Sequence, residues 1–343
     1  MDYPVEINFP GRIILRSKCV ELLGLELAVM GFRNIIVLVS SKYSNVMLEF
    51  VIPSFSRIIN KVSVTNIPSK SYDSEVVDEV TEKVRGSEVI VAAGDWITLS
   101  LAKLSSARLN LPSIFLPLSP GVREAFSVRA IPPFGTMGYT VPIKAPLFTL
   151  FDPVLFNKLE QQVVSNLAVE TLVNAIEAAI VGSRNKFILL LSCTALNELK
   201  HAVFENNRSL ERILLASLYA GLAYGHLRGT ALSALSKAIY VLLGLDAYLA
   251  EYSLFLPWLR KVSDISDIKD TLGVSNVIEW VLKTIEHLHA SSVFSKLNIA
   301  PRKADLIVEY AWTYDFHSVR SDPTVPDKYF LRELILEASG TKA

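Results

Sequence analysis

One stretch constrains the fold more than any other: Glu88-Val89-Ile90-Val91-Ala92-Ala93-Gly94-Asp95-Trp96-Ile97-Thr98-Leu99-Ser100-Leu101-Ala102-Lys103-Leu104. Val89 to Ala93 is apolar without alternation, the pattern of a strand buried on both faces of a parallel sheet. Gly94 marks a tight turn, and the residues beyond it take helical spacing. Such a turn aims a helix N-terminus past the strand's end. Free N–H groups and the positive end of the helix dipole make that a phosphate-binding place. Here the turn carries an acid and a tryptophan where a phosphate-binding turn wants glycines.

The rest of the first half repeats the strand–helix theme. Val5 to Arg16 alternates in part around Pro10-Gly11 and predicts a short hairpin or paired strand. Cys19 to Met30 has helical spacing, with Gly31 placed to close it. Ile35 to Val39 is a second buried-strand run. Ser44 to Ile59 predicts a helix broken near Pro53, and Val62 to Val64 a short strand. Ser74 to Val84 predicts an amphipathic helix, and Ser113 to Leu118 another strand. This alternation predicts an α/β layer on a mostly parallel sheet. Pro120 to Pro146 is rich in proline and glycine and predicts an irregular hairpin.

At Phe151-Asp152-Pro153 the pattern changes. Asp152 is placed as an N-cap with Pro153 at the first helical position. Helical periodicity then dominates, as in the stripe Val164, Leu167, Ala168, Leu172, Ala175, Ile176 and Ala179. Later helices are predicted over Ile213–Ala223, Ala231–Leu243 and Val277–His289. The boundary is therefore set between an α/β nucleotide-type domain, 1–152, and an all-helical domain, 153–343.

Bulk properties narrow the function classes. The 343 residues carry a formal charge of +0, which offers no electrostatic hold on nucleic acid or anionic membrane. Hydrophobic content is 51 % and mean hydropathy +0.37, high enough to imply a large apolar core or a buried subunit interface. The long uncharged stretches, Ile213–Leu227, Leu109–Val122 and Ala130–Ile143, fall short of the roughly 20 residues of a spanning helix, so no membrane span is expected. The N-terminus opens with acids and a proline, unlike a signal peptide. Cys19 and Cys193 read as buried thiols in a reducing cytoplasm. Gln161 and Gln162 are the only glutamines, in keeping with a thermophile.

The order of motifs resembles the iron-containing alcohol dehydrogenase superfamily, with its glycerol dehydrogenases, glycerol-1-phosphate dehydrogenases and dehydroquinate synthases. Met30-Gly31-Phe32 with Ile35–Val39 resembles its first nucleotide-side unit. Gly94 through Ala102-Lys103 resembles its glycine-rich loop and helix, and Leu116-Pro117 the start of its second loop. Ser127-Val128-Arg129-Ala130 resembles the Ser-Pro-Arg-Ala of the archaeal glycerol-1-phosphate branch, the nearest one. Asp152 matches the residue that opens the helical domain. Glu170–Glu177 resembles the helix bearing the first metal ligand, and Pro326-Asp327-Lys328-Tyr329 the branch's C-terminal run. The resemblance spans nearly the whole chain and implies a dehydroquinate synthase-like fold.

The site residues depart from that pattern. The family's first loop has three glycines and a polar residue, where this chain has Gly94, Asp95, Trp96 and Ile97. The second loop reads Leu118, Ser119, Pro120, Gly121, Val122, Arg123 and Glu124, with Arg123 at an expected acid. The cofactor positions are thus Gly94, Asp95, Trp96 and Gly121, and dinucleotide binding is expected to be lost. NAD or NADP is the alternative. The metal positions match Glu170, Leu232 (or Ser233) and Asp246 (or Ala247 or Tyr248), with Asn174 four residues after Glu170. No imidazole falls among them, so no bound metal is expected. Glu170 with Asp246 as a hard-cation site is the lesser reading.

Several side chains have two readings. Asp95 caps its helix, or is a catalytic acid. Trp96 plugs the vacated groove, or stacks on a different ligand. Arg123 and Glu124 pair with solvent, or Arg123 binds an anion in the cleft. Lys103 is read as solvated or ion-paired, Glu177 as structural and His226 as a satisfied helix-end histidine. The leading expectation is a degenerate, non-catalytic homologue, structural or regulatory, as a homo-oligomer or beside an active relative. A divergent NAD(P)-dependent dehydrogenase of the glycerol-1-phosphate type is the alternative, and a cleft re-lined by Trp96, Arg123, Glu170 and Asn174 for another small ligand is a third.

Overall fold

The computed structural model describes residues 11–55, 61–68, 72–130, 133, 141–205, 209–262 and 265–340. Residues 5–10 of the expected opening hairpin lie outside them, as do 131–132 and 134–140 of the Pro120–Pro146 loop. β1 (Arg12–Leu15) leads through a 3-10 turn to α1 (Leu23–Val29), closed by Gly31 at φ 92°. β2 (Asn34–Ser40) follows, then α2 (Ser44–Val46) and irregular helical turns over Met47–Ser54. Next come β3 (Lys61–Ile67), α3 (Ser74–Val84), β4 (Val89–Gly94), α4 (Trp96–Leu109) and β5 (Ser113–Pro117). α5 (Val122–Phe126) and the antiparallel pair β6 (Arg129–Ala130) and β7 (Val141–Pro142) precede β8 (Phe148–Phe151).

The six-stranded sheet has the order β1-β8-β5-β4-β2-β3, and every neighbouring pair is parallel. The apolar runs explain its centre: every residue of β4 and β5 is buried, so neither strand alternates. From β2 the chain steps outward to β3, whereas from β4 it steps the other way to β5. The crevice between the C-terminal ends of β2 and β4 is therefore the switch point, where open α/β sheets bind ligands. Ser40 and Gly94 stand at those two strand ends.

Every described element beyond Asp152 is helical. α6 (Pro153–Asn157) is capped by Asp152, whose Oδ1 accepts from the amide of Val154 at 3.0 Å. The same carboxylate accepts from the amides of Lys18 and Val20, so it also pins the turn after β1. α7 (Gln161–Val181), α8 (Lys186–Phe204), α9 (Leu210–Gly225), α10 (Ala231–Leu243) and α11 (Ala247–Lys261) form the body of this half. α12 (Ser266–Leu272), α13 (Val277–His287), α14 (Pro301–Tyr314), α15 (Phe316–Ser321) and α16 (Lys328–Ala338) complete it. Two helices are long and apolar enough to cross a membrane, contrary to the stretch-by-stretch expectation. α7 is 89 % buried within the fold and α8 44 %, and polar interruptions had hidden both from a search for uncharged runs. One apolar cluster runs from Val37, Val91 and Phe115 in the sheet to Leu172, Leu235 and Leu334 in the helices.

Two places depart from expectation: the helix expected over Ser44–Ile59 is only three residues of α-helix followed by irregular turns to Ser54, and the loop after Pro120 holds a helix. Pro120–Pro146 does contain a hairpin, β6–β7, but α5 precedes it. Five residues are too few to show a helical period, and Pro120-Gly121 masks the start.

Candidate functional site

At the switch point the chain satisfies its own helix. Asp95 is the N-cap of α4, and its Oδ1 accepts from the amide and hydroxyl of Thr98, both at 3.1 Å. Its Oδ2 accepts from the hydroxyl of Ser40 at 2.9 Å, which ties β4 to β2 across the crevice. The amide of Trp96, one that a phosphate would otherwise take, donates to Pro120 O at 2.9 Å. Packing there is tight. A Cβ added to Gly94 would lie 2.5 Å from the Cβ of Ser40, and one on Gly121 would lie 2.3 Å from the nitrogen of Trp96. Gly94 and Gly121 hold φ of 152° and 133°, so glycine here serves closure between chain segments rather than approach of a ligand. Trp96 is buried, with ring centroids 5.5 Å from Tyr72, 6.3 Å from Tyr240 and 6.0 Å from Tyr248. A dinucleotide pyrophosphate meets a carboxylate, an indole and amides already engaged: the residues do not fit that group.

Behind the turn lies a buried polar centre organised by Arg123 on α5. Nη1 pairs with Oε1 of Glu251, and Nη2 donates to Oε2 at 2.8 Å, a bidentate ion pair. The guanidinium carbon lies 4.5 Å from the ring centroids of both Tyr224 and Tyr248. Nη1 also donates to Asn174 Oδ1 at 3.3 Å. Burial opposes the charge on Arg123, but Glu251 together with Tyr224 and Tyr248 outweighs it and holds the guanidinium well above its ordinary pKa. Burial, reinforced by the charge of Glu251, pushes the Glu177 carboxyl well above the usual range. Lys103 is fully buried, donates to Arg129 O at 3.1 Å and lies 3.7 Å from Glu124. Burial draws it down to about 8 against the pull of Glu124.

The positions matched to metal ligands do not fit a metal. Glu170 Oε1 accepts from the amide of Gly121 at 3.0 Å and Oε2 from the hydroxyl of Ser119 at 3.2 Å. Both oxygens thus hold the second loop, while burial pushes the carboxyl up to about 7. Leu232 is buried and offers no donor atom. Asp246 is exposed, and its Oδ1 caps α11 through the amide of Leu249 at 3.0 Å. The Glu170–Asp246 cation site is therefore not formed. Among the described residues no three His, Cys, Asp or Glu side chains are grouped to hold a metal ion.

The structure brings together Asp95, Trp96 and Gly121 at the turn, and Arg123, Asn174 and Glu170 behind it. It corrects the solvated reading of Arg123 and Glu124, which are both buried, and of the two readings of Lys103 it shows the ion-paired one, in the core. His226 ends α9 with Nδ1 2.6 Å from Leu222 O, a satisfied helix-end histidine as expected. Glu251 and Tyr224 are not among the residues the sequence singled out, and Tyr248, an alternative at the last metal position, instead packs its ring on Arg123. A signal existed for the first: Glu251 is the lone charge between Ala247 and Leu259. An acid so placed is buried and needs a cation.

No family model and no curated protein matches the sequence. Solved structures do match the fold. An iron-containing alcohol dehydrogenase from Thermotoga maritima superposes with TM-score 0.80 at 16 % identity, over 98 % of this chain and 99 % of that one. An archaeal alcohol dehydrogenase from a Red Sea brine pool gives 0.81 at 16 % identity, over 98 % and 100 %. Sulfoacetaldehyde reductase from Bifidobacterium kashiwanohense, solved with NAD+, gives 0.78 at 16 % identity, over 99 % and 100 %. At such identities the likeness establishes architecture, and the chain has the fold of the iron-containing alcohol dehydrogenases.

Proposed function

We propose that this chain is a degenerate member of the dehydrogenase superfamily whose fold it shares, and that it has exchanged catalysis for a structural or regulatory role. The observation that carries this reading is the Arg123–Glu251 ion pair, set against Tyr224 and Tyr248 in the interior behind the turn. The closed turn at Gly94 supports it from the cofactor side, and the motif order of the glycerol-1-phosphate branch suggests its ancestry. The role is played by the chain as an oligomer or beside an active relative.

Thermal melting with NAD, NADP, zinc, ferrous iron and magnesium, together with metal analysis of the purified protein, tests the reading. A ligand at a hundred times its Kd stabilises by about 2.7 kcal/mol, which a melting curve resolves. The expected result is no shift with any of the five and no stoichiometric metal. A clear shift with a dinucleotide overturns the reading and favours a divergent NAD(P)-dependent dehydrogenase. Co-purification of an active relative would identify the partner.

A further inference from the structure

The interior behind the turn holds one carboxyl too many. Arg123 answers Glu251, and Lys103 lies 3.7 Å from Glu124, so two cations meet two carboxylates. Asp322, also buried, is provided for otherwise: it accepts from the amide of Ala231 at 2.8 Å, and from the amide and hydroxyl of Thr324 at 2.9 and 2.6 Å. Glu177, on α7, has no such provision. It is fully buried, and neither of its carboxyl oxygens has a hydrogen-bond partner among the described residues. The Thr230 hydroxyl faces it outside hydrogen-bonding geometry and lies 3.2 Å from Tyr224 Oη. The titratable and charged groups that face Glu177 come from the elements around α7: Glu251 from α11, Arg123 from α5, Tyr224 from α9, and Asp322 just after α15.

A buried carboxylate with neither a cation nor donors of its own takes up a proton rather than keep its charge. Burial and the charges of Glu251 and Asp322 favour the acid form here, and Arg123 opposes it. With Glu177 neutral, the whole guanidinium fork goes to Glu251, which engages both Nη atoms. That pair joins α5, which follows β5, to α11 in the helical half. An ionised Glu177 presents the same guanidinium with a second carboxylate, and one fork does not serve two carboxylates bidentately.

We propose that Glu177 is a proton-operated latch on the junction between the two halves. Protonated, it leaves Arg123 to Glu251, and α5 is held to α11. Ionised, it competes with Glu251 for the guanidinium and draws α5 off that helix. The latch is independent of whether the chain has lost catalysis. Urea denaturation of the full chain from about pH 5 to about pH 8, with Glu177→Gln as the reference, tests it. The unfolded carboxyl ionises near 4.5 while the folded one keeps its proton. The folded state then binds more protons, and its stability falls as pH rises. The folding constant of the parent relative to Glu177→Gln should fall about tenfold per pH unit. Glu170 titrates in both proteins and cancels. Above the pH of about 7 at which Glu170 ionises, an infrared carboxylic-acid band should be present in the parent and absent in Glu177→Gln. Competition is read in Glu251→Gln, where ionised Glu177 takes the freed guanidinium. The folding constant of Glu251→Gln relative to Glu251→Gln/Glu177→Gln should therefore be flat over the same range. A flat difference between parent and Glu177→Gln, or no such infrared band, shows an ionised Glu177 and overturns the proposal. A fall in the Glu251→Gln background as steep as in the parent also overturns it, since Glu177 then does not reach Arg123. Should Glu177→Gln not fold, Glu177→Met replaces it as the reference with the same expectations.

Discussion

Arg123 shows how one side chain can be read in sequence while its meaning is not. An arginine where the resembling family has an acid is visible in the chain. Its partner Glu251 is 128 residues away, and nothing local joins the two. Removing one member of a buried pair leaves the other charged and unpaired, which costs about 3–5 kcal/mol. Arg123→Leu is expected to lose that much in urea denaturation, and Arg123→Leu/Glu251→Leu to recover most of it. Equal losses in the single and double variants would show that the pair is not coupled. Lys103 sets a second expectation at this scale. Its pKa falls from 10.5 to about 8 in the fold, because burial favours the neutral amine. A depressed pKa contributes stability above the unfolded value, lost as pH falls toward the folded one. The stability of the parent relative to Lys103→Met should therefore rise between pH 8 and 10.5, by about 3 kcal/mol at about 1.36 kcal/mol per unit. A flat difference across that window would mean that Glu124 offsets burial and holds the amine at its ordinary pKa.

Among elements, the unit β4–turn–α4 carries the most weight, and its local chemistry was the most legible part of the chain. The uninterrupted run Val89–Ala93, the turn glycine and the acid after it specify strand, turn and cap without help from elsewhere. The same holds for β2, and for α3, whose cap Asp73 precedes an amphipathic run. Legibility ended where structure depends on distant packing. α5 is too short to show a period, and it is held by Gly121 before it and by Arg123 reaching into the helical half. The cap and the close approach at the turn can be tested separately. Asp95→Ala removes bonds to Thr98 and Ser40 and should cost about 1–2 kcal/mol, with the loss read in the denaturation midpoint. Gly121→Ala meets both a positive φ and the backbone of Trp96, so its loss should exceed that of Asp95→Ala. Near-parent stability in Gly121→Ala would mean that the two loops do not close on each other.

At the scale of the whole molecule, the sheet and the helices share one core, and α5 is the wedge between them. Phe126 stacks on Phe151 at the end of β8, with centroids 5.6 Å apart and planes 1° from parallel. Its other side lies against α9, where a Cβ on Gly221 would come within 2.5 Å of the Phe126 ring. The Arg123–Glu251 pair crosses the same junction from α5 to α11. A cleft that admits a cofactor needs its two walls to part, and here that would break a bidentate ion pair and expose a stacked aromatic pair. Such a junction makes the halves one cooperative unit rather than two foldons. Native-state hydrogen exchange should therefore give the slowest amides of β4 and of α9 the same opening free energy. Gly221→Val, which crowds Phe126, should lower both together. Slowest amides that differ by more than about 1 kcal/mol, within a range that runs from near zero to the global stability, would mean the halves open separately. In that case a cleft could still form between them, and the closed interior around Arg123 would no longer argue against a cofactor.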